Sequence, residues 1–479
     1  MPDLRNRPPR PALRRSFSLG PPALTAALGA SALAPGDTWQ SISLGAAAAD
    51  DQAGRSVAIG GGRIAVGVPE RDFNGVPGSG AVAIFERGPQ GSWAITDLLG
   101  ASDAAVADVL GQYVSIDQDL LLVGAANDGL LDPAAPWTGA GYLFRRDAGG
   151  WGQVAKFVPP DPIEFHEFGL AGDVDEATRT VSIGARLDGD RAFRAGSVYV
   201  FTESTSGWGF RQELYSSDPR AEDLFGFAVA LDGDTLAVAT PATDDLAESS
   251  GSVELFVRNS KGFSHSTTLL ASNGGYRDQF GFAVDLEGDT LVVGAPRTDH
   301  DVAGSDRGSA YVFRRKGTAW SEVAELRADP VANLMGFGNA VAIRGGTIAV
   351  GASSASFGGG NSGAVFVFRE IDGAWTQVGM HAGAAPGLRL GTSVATDGDS
   401  AVAGEPDRDQ PASNAGGAWV STRPPPCVAD LDGDGTTGPG DLSVLLGFWM
   451  LPGADLDGDG TTGPGDLTVL LGSWGPCPS

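Results

Sequence analysis

Two stretches near the C-terminus place acidic residues at spacings that wrap a cation. The first reads Asp430-Leu431-Asp432-Gly433-Asp434-Gly435-Thr436-Thr437-Gly438-Pro439-Gly440-Asp441, and residues 455–466 repeat it almost letter for letter. Acids at positions 1, 3 and 5, glycine at 6 and an acid at 12 offer calcium three side-chain oxygens, a turn, a backbone carbonyl from position 7 and a closing carboxylate. The expected ligands are Asp430, Asp432, Asp434, the carbonyl of Thr436, and Asp441, then Asp455, Asp457, Asp459, the carbonyl of Thr461, and Asp466. An apolar run with a helical face follows each loop, at 442–449 and 467–474. Cys427 and Cys477 are the only cysteines, and they bracket the pair. They predict one local disulfide, which would stabilise so small a unit by roughly 4 kcal/mol in the chain-entropy account.

Other acids carry a weaker metal signal. Asp299, Asp301 and Asp306 lie in one loop with the look of a calcium loop, although its fifth position is Ala303 and its last acid comes one residue early. Asp72 with Asn74, Asp244 with Asp245, and Asp407 with Asp409 occupy corresponding loops. Turns favour these residue types without any metal. Catalytic constellations are not found. His166, His265, His300 and His381 fall in different registers, with no spacing that would set two on one metal, and they read as surface or turn residues. No Gly-x-Ser-x-Gly elbow occurs, and pairs of carboxylates select no glycosidase in so acidic a chain.

The elements around these residues are short strands. The stretch Phe280-Gly281-Phe282-Ala283-Val284-Asp285-Leu286-Glu287-Gly288-Asp289-Thr290-Leu291-Val292-Val293-Gly294-Ala295-Pro296 alternates at period two on either side of a Gly-Asp turn, which predicts a hairpin. Variants of it recur about every 55–58 residues, a length that suits a four-stranded propeller blade. The opening glycine falls at Gly54, Gly111, Gly169, Gly226, Gly281, Gly336 and Gly391, and is read as structural. A third strand follows at 80–85, 139–144, 196–201, 251–256, 308–313, 363–368 and 416–420. Aromatic-led fourth strands begin at Trp93, Trp151, Trp208, Phe263, Trp320 and Trp375, one fewer than the hairpins. The segment around Trp39 supplies the missing strand and closes a ring of seven blades, removing an exposed sheet edge.

The Phe-Gly then Val-Gly-Ala-Pro pattern resembles the FG-GAP repeat of integrin α-subunit propellers and their bacterial relatives, over residues 35–422. The loop-helix pair resembles the dockerin module, over residues 427–479 after a 423–426 proline linker. The second resemblance implies folding on calcium and a cohesin-like or other surface docking partner. Pro439-Gly440 and Pro464-Gly465 stand where cohesin-binding members carry polar recognition residues. The expected fold class is therefore all-β, a seven-bladed propeller followed by a small α-helical calcium-loop domain.

A formal charge of −27 argues against nucleic acid. Residues 1–34 combine Arg5, Arg7, Arg10, Arg14 and Arg15 with a mildly apolar stretch, the layout of an export signal with a twin-arginine flavour. No other window is apolar enough for a membrane span. These features predict an extracellular or cell-surface, non-enzymatic binding or display protein. Its propeller loops would take a protein or carbohydrate, and its Ca2+-dependent tail would anchor it. The alternative is a secreted polysaccharide-degrading enzyme with a docking tag.

Overall fold

The computed structural model describes residues 38–42, 44, 50–88, 92–129, 138–160, 166–299, 306–331, 335–371, 373–409, 415–422, 431, 436–449, 456, 462–472 and 475–476. Seven four-stranded antiparallel sheets succeed one another along the chain. Blade 1 holds Val57–Gly60, Arg63–Val68, Ala81–Arg87 and Trp93–Leu99, and blades 2 to 6 repeat this order. Blade 7 has three consecutive strands, Val394–Thr396, Ser400–Gly404 and Ala418–Thr422, and its fourth is Thr38–Ile42. Thr38 pairs with Thr422 and Ile42 with Ala418, so the start of the propeller hydrogen-bonds to its end. With that strand in place each of the seven sheets has four strands.

The third strand shows why the blades pack as they do. In Ser309–Lys316 the first five residues are buried and the last three emerge into solvent. A strand covered on both faces reads as a continuous apolar run, and Ala310-Tyr311-Val312-Phe313 is one. The apolar cores lie between neighbouring blades. One joins Leu255 and Phe280 to Leu291 and Tyr311, and another joins Val292 and Val312 to Phe337 and Phe366. The Phe of each Phe-Gly pair sits wholly buried in such a seam, edge-on to the aromatic residues of a third strand, as Phe280 is to Tyr311 and Phe313.

The glycines define the seam itself. A Cβ on Gly294, at the end of a second strand, would stand 2.0 Å from the carbonyl oxygen of Gly338 in the next blade. Gly338 has φ +93°, open to glycine and strained for other residues. The ring closes on the same contact, with a Cβ on Gly404 falling 2.0 Å from the Gly54 carbonyl oxygen. The sixth opening glycine is thus Gly338, two residues beyond the Gly336 expected above. Gly338 donates its N–H to Gly351, as Gly281 does to Gly294, and Gly336 takes no part in that pattern. The sequence 335–338 offers two glycines around one phenylalanine, and packing selects the second.

The C-terminal residues form helices α1 (Pro439–Gly447) and α2 (Pro464–Gly472), with Thr436–Thr437 paired to Gly475–Pro476. Proline begins each helix, where its missing N–H costs nothing. Leu445 and Leu470 are fully buried against each other's surroundings, with Leu431, Leu442, Trp449, Leu456 and Leu467 packed around them. Among the described residues no helix is long and apolar enough to cross a membrane.

Candidate functional site

Inner strands from all seven blades line a central channel of about 660 Å³. Each strand starts at one mouth, and the connections from second to third strand and from blade to blade gather on that same face. The residue directly after each seam glycine reaches the channel: Arg55, Gln112, Leu170, Phe227, Phe282, Asn339 and Thr392. These seven positions are equivalent in the repeat, yet six side-chain types occupy them.

Chemically the mouth is divided. Phe227 and Phe282 come from adjacent blades and pack with centroids 5.1 Å apart, and the Arg186 guanidinium lies 5.0 Å over the Phe227 ring. Arg186 is neutralised by Glu167 at 2.6 Å. Across the ring stand Arg55 and Arg389. Arg389 holds Asp407 through both guanidinium nitrogens, Nη2 at 2.9 Å from Oδ1 and Nε to Oδ2. Arg55 has no carboxylate within ion-pair distance among the described residues; burial and the neighbouring Arg389 charge lower its pKa, against the pull of Asp407. Asn339 serves structure, donating to the Gly391 carbonyl at 3.0 Å and accepting from the Ser353 N–H at 2.8 Å.

Deeper in the channel two acids satisfy backbone groups on the free edges of inner strands. Asp173 accepts from the Ser115 hydroxyl at 2.6 Å and from the Leu231 N–H of the next blade at 2.7 Å. Asp285 accepts from the Ile343 N–H, also of the next blade, at 2.7 Å. Burial pushes Asp173 up to about 7, with the Asp285 charge adding to it, despite those hydrogen bonds. Asp285 rises to about 6 for the same reason, with Arg344 opposing. At the far end the hairpin-turn acids stitch blades together. Asp175 accepts from Gly233 N–H at 2.6 Å, Glu287 from Gly345 N–H at 2.9 Å, and Asp232 from Gly288 N–H.

Three of the loop acids make backbone contacts within their own loops. Asp299 accepts from the Asp306 N–H at 2.9 Å, a loop staple that Asp72 repeats with Gly78 and Asp244 with Ser249, both at 2.8 Å. Asp301 lies outside the described residues. In the C-terminal unit Asp441 and Asp466 are buried at the starts of α1 and α2. Asp441 accepts from Leu431 N–H at 2.5 Å and Gly438 N–H at 2.7 Å, and Asp466 accepts from the equivalent Leu456 and Gly463. Each twelfth-position carboxylate therefore sits at a helix start, where negative charge is favoured. Thr436 lies in the short strand. Asp430, Asp432, Asp434, Asp455, Asp457, Asp459, Thr461, Cys427 and Cys477 lie outside the described residues.

One cluster was not expected from the sequence. Asp188, Asp190 and Glu213 of blade 3 offer oxygens within 4.8 Å of one another. Asp188 and Asp190 flank Gly189, which stands in the loop register of Asp72 and Asp299, and that pair of acids is the signal that could have found it.

The FG-GAP repeat family matches residues 93–144, 151–201, 208–256, 263–313 and 320–368, together more than half of the chain. Each match runs from the fourth strand of one blade through the third strand of the next, so the sequence repeat is offset from the structural blade by one strand. No curated protein matches the chain. Among solved structures, the crystal structure of the Saccharomyces cerevisiae Sqt1 is similar at 12% identity and a TM-score of 0.42, over 74% of this chain and 82% of that one.

Proposed function

The chain belongs to the FG-GAP repeat family, and from that premise we propose that it is an exported, non-enzymatic binding or display protein whose ligand enters the channel mouth. The observation that carries this reading is the ring of residues after the seam glycines. The seam glycines repeat while the next position does not, and Arg55, Gln112, Phe227 and Phe282 bring charge, amide and aromatic groups to one opening. Pockets that orient a ligand combine apolar walls with a few polar groups in this way. Function on a propeller rim also leaves the blade cores untouched.

The C-terminal unit is proposed as a dockerin-like, calcium-loaded anchor for a cohesin-like or other surface partner. Its support is the duplicated acid spacing together with Asp441 and Asp466 turned inward at matching helix starts. Ten oxygen ligands over two loops would suit two Ca2+ ions.

The test is a binding screen of the intact protein against immobilised glycans and extracellular proteins, repeated for R55Q and for the F227A/F282A pair, with and without a calcium chelator. Partners retained by the wild type and released by the mouth variants support the channel reading. Equal retention by all variants overturns it. Partners lost only on chelation belong to the C-terminal anchor, and an anchor indifferent to chelation removes that half of the proposal.

A further inference from the structure

The channel mouth is divided around its circumference. Blades 7, 1 and 2 bring Arg389, Arg55 and Gln112 to one arc, and blades 3, 4 and 5 bring Leu170, Phe227 and Phe282 to the other. Charge is divided along the depth as well. The charged lining residues at the mouth are the arginines Arg55, Arg186 and Arg389, while the lining carboxylates all lie further in. Asp173 and Asp285 come three residues after the mouth positions of their blades, which at about 3.3 Å per residue sets them roughly 10 Å deeper. An anion is drawn to the opening and repelled beyond it.

Two polar groups of the first arc lack partners. Glu167 and Asp407 answer Arg186 and Arg389, but Arg55 has no carboxylate within ion-pair distance among the described residues. Its charge is held at a cost, because burial and the Arg389 charge lower its pKa against the pull of Asp407. In the adjoining blade, Gln112 Oε1 is buried without a hydrogen-bond partner. An unanswered acceptor is unfavourable in the protein alone, and so is an unanswered five-donor cation. Together they suit a ligand that brings a carboxylate and an N–H, and the second arc suits an apolar group beside them.

Resting on the reading that the channel mouth is the binding site, we propose that it captures the C-terminal residue of a protein or peptide whose last side chain is apolar. Such a residue carries all three groups on one Cα. Its carboxylate meets the Arg55 guanidinium, its amide N–H donates to Gln112 Oε1, and its side chain lies against Phe227 and Phe282. A chain end also enters end-on, and the deeper acids turn its carboxylate back at the mouth. The two phenylalanine rings are tilted by 51° and one is covered by Arg186, so they form an apolar wall and no flat platform for a sugar face.

The experiment uses the full chain and peptides ending in Gly-Ser-Phe, labelled at the N-terminus and read by fluorescence anisotropy at neutral pH. The free acid should bind saturably, with the C-terminal amide of the same peptide weaker by about tenfold or more. R55Q should bring the free acid down to the level of the amide and leave the amide unchanged, a pattern that general unfolding would not give. Methylating the terminal amide nitrogen should weaken binding to the wild type and not to Q112L. F227A/F282A should erase the preference for a final Phe over a final Ala. Residues before the last pass the rim loops, so N-acetylphenylalanine should bind more weakly than the peptide; equal affinity would overturn the choice of a chain end over a free acylated amino acid. Equal binding of acid and amide by the wild type overturns the proposal. Retention of an oligouronate that R55Q abolishes, with no peptide bound, also overturns it while leaving the channel reading in place. Peptide binding indifferent to every mouth variant overturns both.

Discussion

The glycines that open the inner strands sit in the seams between blades while the residues that follow them line the channel, so neighbours in sequence obey different constraints. At the glycine ring, backbone meets backbone across six of the seven seams, Ala239 standing in the glycine's place in blade 4, and a single added carbon at Gly294 would lie 2.0 Å from an oxygen. One residue further on, the side chain faces open volume, and Arg, Gln, Leu, Phe, Asn and Thr are all accommodated. Repetition in this chain records where blades touch. Variation records where they do not, and a ligand can only be recognised in the second kind of place.

The largest effect should come from breaking the first ring. G294V must push the Gly338 carbonyl away and open the seam between blades 5 and 6, a cost of roughly 3 kcal/mol or more for overpacking a rigid contact. Calorimetric unfolding should show a large loss of melting temperature or no cooperative transition at all. A variant with wild-type stability would mean that the seam can slide, and the comparison would fail.

Between the two rings in effect lies the half-buried Asp173. Its pKa stands at about 7, above the ordinary value of 3.8, so the folded state holds a proton that the unfolded chain releases. Its contribution is fully present below 3.8 and is lost as pH rises toward about 7. D173N should therefore flatten the fall in stability across that interval, measured by denaturant midpoints at several pH values. An unchanged slope would place the titrating group elsewhere, with Asp285 the next to replace.

A control of the same residue type sharpens the comparison. Gly233 has φ +55°, but nothing lies within 4 Å of the Cβ it lacks. G233A should cost only the left-handed backbone term, about 1 kcal/mol. If it proved as damaging as G294V, backbone conformation would explain the glycines better than blade contact does.

How much of this was legible follows from the same distinction. Seven copies of one hairpin made the propeller readable, because each blade is built by a local alternation that survives without its neighbours. The Gly336 to Gly338 shift was not readable, since both glycines flank Phe337 and only the seam distinguishes them. The mouth ring was hidden for a different reason: a departure of one residue per blade has no period. The Asp188 cluster draws on residues from 188 to 213, and Asp190 and Glu213 belong to segments that meet only once the sheet has folded. The C-terminal loops sit at the other extreme. All the ligands proposed there fall within twelve consecutive residues, so the expectation of calcium rests on spacing alone.

The smallest effect on stability should come from the mouth itself, and R55Q tests this most cleanly. Arg55 forms no ion pair among the described residues, and its nearest cationic neighbour, Arg389, makes its charge less favourable. Removing that charge relieves repulsion while sacrificing little packing, so the change in unfolding free energy should stay within about 0.5 kcal/mol. Partner retention in the binding screen should nonetheless change, because the opening loses a cation with no internal partner to compensate. A residue that matters to binding and not to folding is what separates the second ring from the first. Substantial unfolding in R55Q would instead make Arg55 part of the architecture and reduce the two rings to one.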